Sequence, residues 1–312
     1  MRGGFKLIEN IVRLTKFPEY AKKGYDLGKG FKIKGKVNKI VVCGMGGSGI
    51  SGRILEDYVK QIPVFVNSSY DIPGYIDKNT LAVIISYSGN TEETIAAYQK
   101  IKKKTKKKLI IASGGVLGKE KDVIKVPKGF PPRYSLPYLF FSMLSVLNNS
   151  RIVKKDFDID EIFENLKSFD KKDAKTLAGK LKDCTPLIYA PEGYGSVAYR
   201  WQTQFNENSK IVAHSQVFPE HNHNEIEASL DDRFKPIMLK DPGANERVNR
   251  RMEIISEMVN PEVIELKGAS KLSKMFYGIL FGDFTSYYLA LERGVDPGKQ
   301  DNIDALKDKL KS

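Results

Sequence analysis

An apolar run that ends in a hydroxyl-rich loop is the feature of this sequence that most limits its fold. Residues 81–85 are all apolar, and residues 86–91, which follow, read Ser-Tyr-Ser-Gly-Asn-Thr. A helical pattern begins by Thr94. A buried strand that leads through such a loop into a helix is the basic unit of an α/β fold. The loop is therefore expected at the carboxyl end of a strand and the amino end of a helix.

The composition of residues 86–91 indicates that this loop binds an anion. Backbone N–H groups at the start of a helix are unpaired, and the helix dipole adds partial positive charge there. Ser86, Ser88 and Thr91 add hydroxyl donors without adding charge. A simple turn with Thr91 as N-cap would need only one or two such residues. Five of the six positions are turn formers or hydroxyls, so we predict a phosphate site.

Short apolar runs alternate with helical patterns along the whole chain. The predicted strands are residues 40–43, 64–66, 81–85, 109–112 and 123–126, then 187–190, 237–239 and 263–266, with a short strand between residues 212 and 218. This alternation predicts parallel, doubly wound sheets with helices on both faces. A second Gly/Ser loop follows the strand at 187–190, and residues 197–208 are then predicted to form a helix, so the two halves share one plan.

We therefore predict an α/β protein of two flavodoxin-like domains, each a doubly wound parallel sheet flanked by helices. The first domain spans residues 1–150, with a helical lead-in over residues 1–38. The second spans residues 151–312 and begins with charged linker helices at 150–183. A cleft between two such domains is the usual place for a ligand.

The composition limits the classes to which the protein can belong. Its 51 basic and 38 acidic residues give a formal net charge of +13, but the lysines are spread along the chain without a nucleic-acid-binding motif. No apolar run approaches ~20 residues, the length that spans a bilayer, and the first residues lack a signal-peptide pattern. Cys43 and Cys184 are too few for a disulfide framework. We expect a cytoplasmic protein that binds neither nucleic acid nor membrane.

A glycine-rich segment follows the first predicted strand. Residues 44–49 read Gly-Met-Gly-Gly-Ser-Gly, which fits the spacing of dinucleotide-binding loops. Such loops are followed about 20 positions later by an acidic residue, but residues 67–69 here are Asn, Ser and Ser. We therefore interpret the glycines as positions where the backbone approaches a small polar ligand.

All three histidines, His214, His221 and His223, fall within ten positions of the second half. A His-x-His pair on a strand can bind zinc. Here Pro219 precedes the pair, a helical pattern follows it, and no further Cys or His completes a ligand set. We therefore predict no metal site.

Two basic residues are candidates on weaker grounds. Arg133 follows a rigid Pro-Pro pair and precedes a helix, so it could hold an anionic intermediate or simply cover apolar surface. Lys299 lies in residues 294–300, which read Gly-Val-Asp-Pro-Gly-Lys-Gln, and is one of many lysines.

Four motifs together resemble the archaeal bifunctional phosphoglucose/phosphomannose isomerases, which belong to the phosphoglucose isomerase superfamily and contain two sugar-isomerase (SIS) domains. The motifs are Gly46-Gly47-Ser48, the Ser-Tyr-Ser-Gly-Asn-Thr-Glu-Glu run at residues 86–93, Asn206-Glu207-Asn208 and His223-Asn224-Glu225. The resemblance covers most of residues 40–300. It implies an aldose–ketose isomerase for glucose 6-phosphate, fructose 6-phosphate and mannose 6-phosphate. It also implies that no cofactor is needed, because a carboxylate base, a cation and an acid–base group suffice for this chemistry.

The resemblance also implies individual roles. The hydroxyls of the loop would hold the phosphate, and the glycine segment would lie near the sugar; these residues are Ser86, Ser88, Thr91, Gly46, Gly47 and Ser48. Glu207 would be the base that moves a proton between C1 and C2, and Arg133 would stabilise the enediolate. His223, reaching in from a neighbouring subunit, and Lys299 would assist ring opening. The chain would then be a homodimer with shared active sites.

One position departs from the pattern of the family. Seven residues before the ring-opening lysine, relatives often have Gln or Thr, whereas this chain has Glu292. This departure leaves the activity towards mannose 6-phosphate open. Two alternatives are a non-catalytic sugar-phosphate-binding SIS protein, usually joined to a DNA-binding module, and a glucosamine-6-phosphate-forming isomerase. The latter would normally carry a glutaminase domain with an N-terminal cysteine, and residues 1–38 contain no Cys.

Overall fold

The computed structural model describes residues 2–310 of the chain. In chain order the helices α1–α11 are Arg2–Thr15, Phe17–Gly28, Gly46–Tyr58, Glu92–Ile101, Leu136–Asn149, Ile159–Lys167, Lys172–Lys180, Gly195–Gln204, Glu246–Val259, Lys271–Glu292 and Asp301–Lys309. The strands β1–β9 are Lys39–Cys43, Val64–Asn67, Thr80–Ile85, Lys108–Ala112, Val123–Lys125, Thr185–Pro191, His214–Phe218, Phe234–Lys240 and Glu262–Glu265. None of the helices within residues 2–310 is long and apolar enough to cross a membrane.

Two compact units divide the described chain. The N-terminal unit comprises residues 16–167 and 268–273, and the C-terminal unit comprises residues 2–15, 168–267 and 274–310. Each unit contains one sheet, and all strand pairs in both sheets are parallel. The predicted fold class, an α/β protein with two parallel sheets flanked by helices, is confirmed.

The sheet of the N-terminal unit has the strand order β2-β1-β3-β4-β5. All six residues of β3 are buried, because a central strand of a doubly wound sheet has neighbouring strands on both sides and helices on both faces. The direction in which strands are added reverses between β1 and β3. At such a switch point the loops that follow the two strands run to opposite faces of the sheet and leave a crevice at its carboxyl edge.

The sheet of the C-terminal unit has the order β7-β6-β8-β9, with its own switch point between β6 and β8. Helices α8 and α10 pack against each other in this unit. The Trp201 ring on α8 stacks on the Phe281 ring of α10 with centroids 5.7 Å apart, and its N–H donates to the Gly278 carbonyl at 2.8 Å. On the same pair of helices the Arg200 guanidinium donates twice to the Asp283 carboxylate, each time at 3.0 Å, and both side chains are buried.

The limits of the units differ from the predicted division at residue 150, because the two helices predicted as a linker do not pack together. Helix α6 belongs to the N-terminal unit, where the ring of Phe163 lies 5.7 Å from that of Phe141 on α5. Its Asn165 amide also donates to Ser273 at 2.9 Å, which draws residues 268–273 into the same unit. The following Phe169 stacks instead on Phe284 of α10, and α7 belongs to the C-terminal unit. Helix α1 also belongs to the C-terminal unit, so the predicted lead-in is two helices in two units.

The buried Arg200–Asp283 pair gives a first test. We expect Asp283→Ala to lower the free energy of unfolding by about 3–5 kcal/mol, because the change leaves a buried guanidinium without its carboxylate. Urea unfolding followed by the fluorescence of Trp201, the single tryptophan of the chain, measures this unit directly.

The matched control is Asp231→Ala, which breaks the exposed pair between Asp231 and Arg233 and should leave the unfolding curve nearly unchanged. Equal stability of the two variants would contradict the importance of the buried pair.

Candidate active site

The glycine segment lies at the switch point of the first sheet, directly after β1. Gly46 is the first residue of α3 and has φ +47°, a conformation that glycine adopts without strain. A Cβ on Gly47 would lie 2.9 Å from the carbonyl oxygen of Pro132 and 3.1 Å from Cα of Arg133. Glycine is therefore needed at 47 because the backbone that carries Arg133 passes directly against it.

The loop at residues 86–91 follows β3 on the other side of the same switch point. The hydroxyl of Ser86, which is fully buried, lies 2.9 Å from that of Thr91 and accepts a hydrogen bond from the Gly89 N–H at 3.1 Å. Gly89 has φ +72°, and a Cβ there would lie 1.8 Å from the Gly114 carbonyl oxygen. Ser88 is exposed and accepts a bond from the Asn90 N–H at 3.2 Å. The hydroxyls thus first shape the loop into a tight turn.

One hydrogen bond joins the two segments. The Ser48 hydroxyl accepts a bond from the backbone N–H of Tyr87 at 3.1 Å. Arg133 is 1% exposed, and its guanidinium lies 5.2 Å from the centroid of the Tyr134 ring. The structure therefore brings together all six predicted substrate-binding residues and Arg133 at one edge of one sheet. Hydroxyls, the N-terminus of α4 and a buried guanidinium are groups that favour an anion.

Glu207 lies in the C-terminal unit, in one turn of π-helix (Phe205–Ser209) that follows α8. The sequence predicted a continuous helix here. The Glu207 carboxylate accepts a hydrogen bond from the side-chain amide of Gln300 at 2.7 Å. The Lys210 ammonium donates to the backbone carbonyl of Glu207 and, at 2.6 Å, to that of Lys299. Through Lys210 the structure thus links the backbone of Lys299, predicted from the resemblance, to the turn that carries the predicted base.

The π-helical turn is anchored on the buried helix α10. The Asn208 amide donates to the Ser286 hydroxyl at 2.9 Å, and the Ser209 hydroxyl donates to the Ser286 carbonyl at 2.7 Å. All three residues are buried. The two side chains that follow Glu207 in the motif Asn-Glu-Asn-Ser therefore fix the turn, while Glu207 itself stays half-exposed.

Two residues close to His223 in the sequence, His221 and Glu225, fix the segment that carries it. The buried His221 ring stacks on Phe218 and meets Tyr189 edge-on, with centroids 4.6 and 4.5 Å apart, and burial lowers the pKa of this imidazole. The Glu225 carboxylate accepts a bond from the Tyr189 hydroxyl at 2.8 Å and lies 2.9 Å from the His214 imidazole. His223 is exposed. The His221 and His223 side chains therefore lie in different environments, one buried and one exposed.

Glu207 and His223 lie beyond opposite ends of β7. The π-helical turn with Glu207 precedes this strand, and the 3-10 turn Glu220–His223 follows it. The strand has five residues, which at the usual rise spans about 16 Å. Within one chain, therefore, the two residues stand at different edges of the second sheet.

The switch point of the second sheet is already filled by an acidic side chain. Asp241, which follows β8, accepts bonds from the Tyr194 hydroxyl at 2.5 Å, the Lys274 ammonium at 2.6 Å and the Gly243 N–H at 2.8 Å. Burial alone would raise the pKa of Asp241, but these bonds outweigh burial and hold the pKa below its usual value. Burial, together with the bond to Asp241, raises the pKa of Tyr194.

Sequence reasoning missed three residues of these clusters: Gln300, Lys210 and Asp241. Gln300 and Lys210 stand next to named motifs, but nothing local indicates that both contact Glu207. Asp241 follows an apolar strand as Ser86 does, which was a usable signal.

Glu292 is the exposed last residue of α10, and its relation to Lys299 stays a prediction. Within residues 2–310 no group of three or more His, Cys, Asp or Glu side chains is arranged to hold a metal ion.

The chain is similar to known proteins along most of its length. Residues 35–125 match the family described as SIS domain, and residues 170–310 match the bacterial phospho-glucose isomerase C-terminal SIS domain. The bifunctional phosphoglucose/phosphomannose isomerase of Thermoplasma volcanium is 39% identical over 90% of this chain and 94% of that protein. The protein of the same name from Caldicellulosiruptor bescii is 37% identical over 97% of this chain and 98% of that protein.

Solved structures share the fold at lower identity. The C-terminal domain of glucosamine-fructose-6-phosphate aminotransferase from Francisella tularensis superposes with a TM-score of 0.74 over 93% of this chain and 98% of that chain, at 16% identity. At this identity the likeness concerns the fold alone.

The lowered pKa of Asp241 predicts a pH dependence of stability. A carboxyl whose pKa is lower in the folded than in the unfolded chain stabilises the fold at pH values above its unfolded pKa, near 3.8, and this stabilisation is lost as the pH falls through the folded value. We expect native protein and Asp241→Asn to differ most in free energy of unfolding above about pH 5, with the difference narrowing below pH 3.8. Urea titrations from pH 7 to pH 3, followed by Trp201 fluorescence, measure it.

Lys274→Met serves as the second variant, because it removes one of the bonds that hold the carboxylate ionised. Its stability should change less with pH than that of the native protein. A pH-independent difference between the native protein and Asp241→Asn would contradict the assignment.

Proposed function

Since the chain belongs to the family of bifunctional phosphoglucose/phosphomannose isomerases, we propose that its sites serve the interconversion of glucose 6-phosphate, mannose 6-phosphate and fructose 6-phosphate. The observation that carries this proposal is the switch point of the first sheet, where hydroxyls, helix N–H groups and the buried Arg133 meet. It is an enzyme site for an anionic substrate in a chain that matches isomerases over 90% of its length.

We assign the phosphate to residues 86–91 and the N-terminus of α4. The hydroxyls of Ser86 and Thr91 carry two hydrogens, of which their mutual bond uses one. The second hydrogen is left to donate to a phosphate oxygen. Ser88 is exposed on the same turn, and the first N–H groups of α4 add further donors. A phosphate bound here fixes one end of the sugar, and the glycine segment allows its close approach.

We assign the proton transfer to Glu207. An ionised carboxylate can take the proton from the carbon next to the carbonyl and return it to the neighbouring carbon through a cis-enediol. The Arg133 guanidinium would stabilise the negative oxygen that develops. Both aldoses share this enediol with fructose 6-phosphate, so rotation about C2–C3 allows one base to form glucose 6-phosphate or mannose 6-phosphate.

We assign ring opening to His223 and Lys299, with His223 contributed by a second copy of the chain. Two observations support a shared site: His223 is exposed, and it stands beyond the end of β7 that is remote from Glu207. A two-fold dimer can bring such a pair together, because the same contact is then made twice. The cytoplasmic location stays a proposal alongside the dimer.

The base assignment predicts that Glu207→Gln lowers kcat about 10²- to 10⁴-fold, with KM for fructose 6-phosphate changed by less than about threefold. The amide keeps the shape of the carboxylate but cannot take a proton. Coupled assays of glucose 6-phosphate and mannose 6-phosphate formation measure both values. Normal turnover would remove Glu207 from the mechanism.

The same assays, extended to glucosamine 6-phosphate formation and to the binding of fructose 6-phosphate, test the function as a whole. Formation of glucosamine 6-phosphate from fructose 6-phosphate and an ammonia donor would indicate the aminosugar-forming alternative. Tight binding of fructose 6-phosphate by native protein without any turnover would indicate the non-catalytic sugar-phosphate-binding alternative.

The shared site predicts subunit complementation. Glu207→Gln and His223→Ala homodimers should each be nearly inactive. A heterodimer of the two variants, isolated through two different affinity tags, contains one site with both residues intact and one with neither. We expect it to recover about half of the native kcat per dimer. An inactive heterodimer, or a native protein that is a monomer at assay concentration, would show that His223 does not act across subunits.

A further inference from the structure

A second layer of contacts surrounds the carboxylate of Glu207. The turn that carries it is fixed from one side by α10, through Ser286. Residues 294–300 approach the turn from the other side. The last side chain of this segment, Gln300, donates to the carboxylate at 2.7 Å. Lys210 holds this approach in place, because its ammonium donates to carbonyls of both Glu207 and Lys299. Gln300 is half-buried, so its amide has protein around it that limits its rotamers.

We propose that Gln300 is a positioning residue that holds the Glu207 carboxylate in the orientation needed for proton transfer at C1 and C2. The inference rests on the proposed function of Glu207 and goes beyond it by naming the group that orients the base. Gln300 does not itself exchange a proton, since an amide neither gains nor loses one near neutral pH. Gln300 acts only through the Glu207 oxygen to which it donates a hydrogen bond.

The orientation of Glu207 matters because the two methylene groups of its side chain allow the carboxylate oxygens to rotate. One amide hydrogen bond to one oxygen fixes the plane of the carboxylate relative to the turn. A displacement of about 1 Å at a reacting group can cost about a hundredfold in rate.

Other charges near the base come from three elements, and they remain unchanged when Gln300 is replaced. Lys210 is in contact with the π-helical turn, and Lys299 precedes Gln300 in the same segment. Asp296 binds the backbone N–H of Gly298 in that segment, and Asp301 begins α11. A change of rate or of pH dependence on replacing Gln300 therefore reports the side chain at position 300 and not these charges.

The experiment measures kcat and kcat/KM for fructose 6-phosphate from pH 5 to pH 9 in the full-length native protein, Gln300→Leu and Gln300→Glu. We expect Gln300→Leu to lower kcat about tenfold to a hundredfold, with KM changed by less than about threefold. Gln300→Glu should move the acid limb of the profile to higher pH, because it places a second carboxylate against that of Glu207.

The substrate phosphate also titrates near pH 6, but it is common to all variants and cancels in their comparison. Gln61→Leu, an exposed glutamine of the N-terminal unit, is the matched control and should behave as native. Unfolding curves by Trp201 fluorescence confirm that each variant is folded.

A native kcat and acid limb in Gln300→Leu would overturn the inference. So would a large rise in KM for Gln300→Leu, or an acid limb in Gln300→Glu that coincides with the native limb, since either result would indicate a purely structural role. Failure of the proposed function looks different, because then Glu207→Gln itself would turn over normally.

Discussion

The parallel register between β1 and β3 is the constraint on which the proposed substrate site depends. Cys43 pairs with Ile84, so the two strands end level and their loops begin at the same height above the sheet. The Ser48 hydroxyl can then meet the Tyr87 N–H. A shift of one residue would turn each side chain of β3 to the opposite face, and Ser86 would leave the crevice. The hydrogen bonds of β3 to β1 on one side and to β4 on the other fix this register.

The sequence was sufficient for the elements whose signal is local. Every predicted strand was found, with ends that differ by at most three residues, because short apolar runs between turn formers have few alternatives to burial in a sheet. The place of residues 86–91 between β3 and α4 was predictable for the same reason. The contact of the Arg133 backbone with Gly47 was not predictable, since a Pro-Pro lead-in does not reveal which segment it packs on.

The parts that could not be predicted depend on contacts distant in the sequence. The π-helical turn at Glu207 was read as ordinary helix, because Asn208 and Ser209 leave the α-helical path to bind Ser286, which lies 77 or 78 residues away. The contact between Gln300 and Glu207 spans 93 residues. Helix α6 was interpreted as a linker because it is charged, yet one apolar stripe, Ile162, Phe163 and Leu166, is buried.

The two sheets show how one residue can determine whether a switch point is open to a ligand. Ser86 and Asp241 hold equivalent places, each directly after the third strand of its sheet. A serine there keeps its donors available for an incoming anion. An aspartate brings its own negative charge, and in this chain it already takes the donors of Tyr194, Lys274 and Gly243. An added phosphate would have to displace a buried, hydrogen-bonded carboxylate at Asp241, and this is why the proposed phosphate site lies at the first sheet and not at the second.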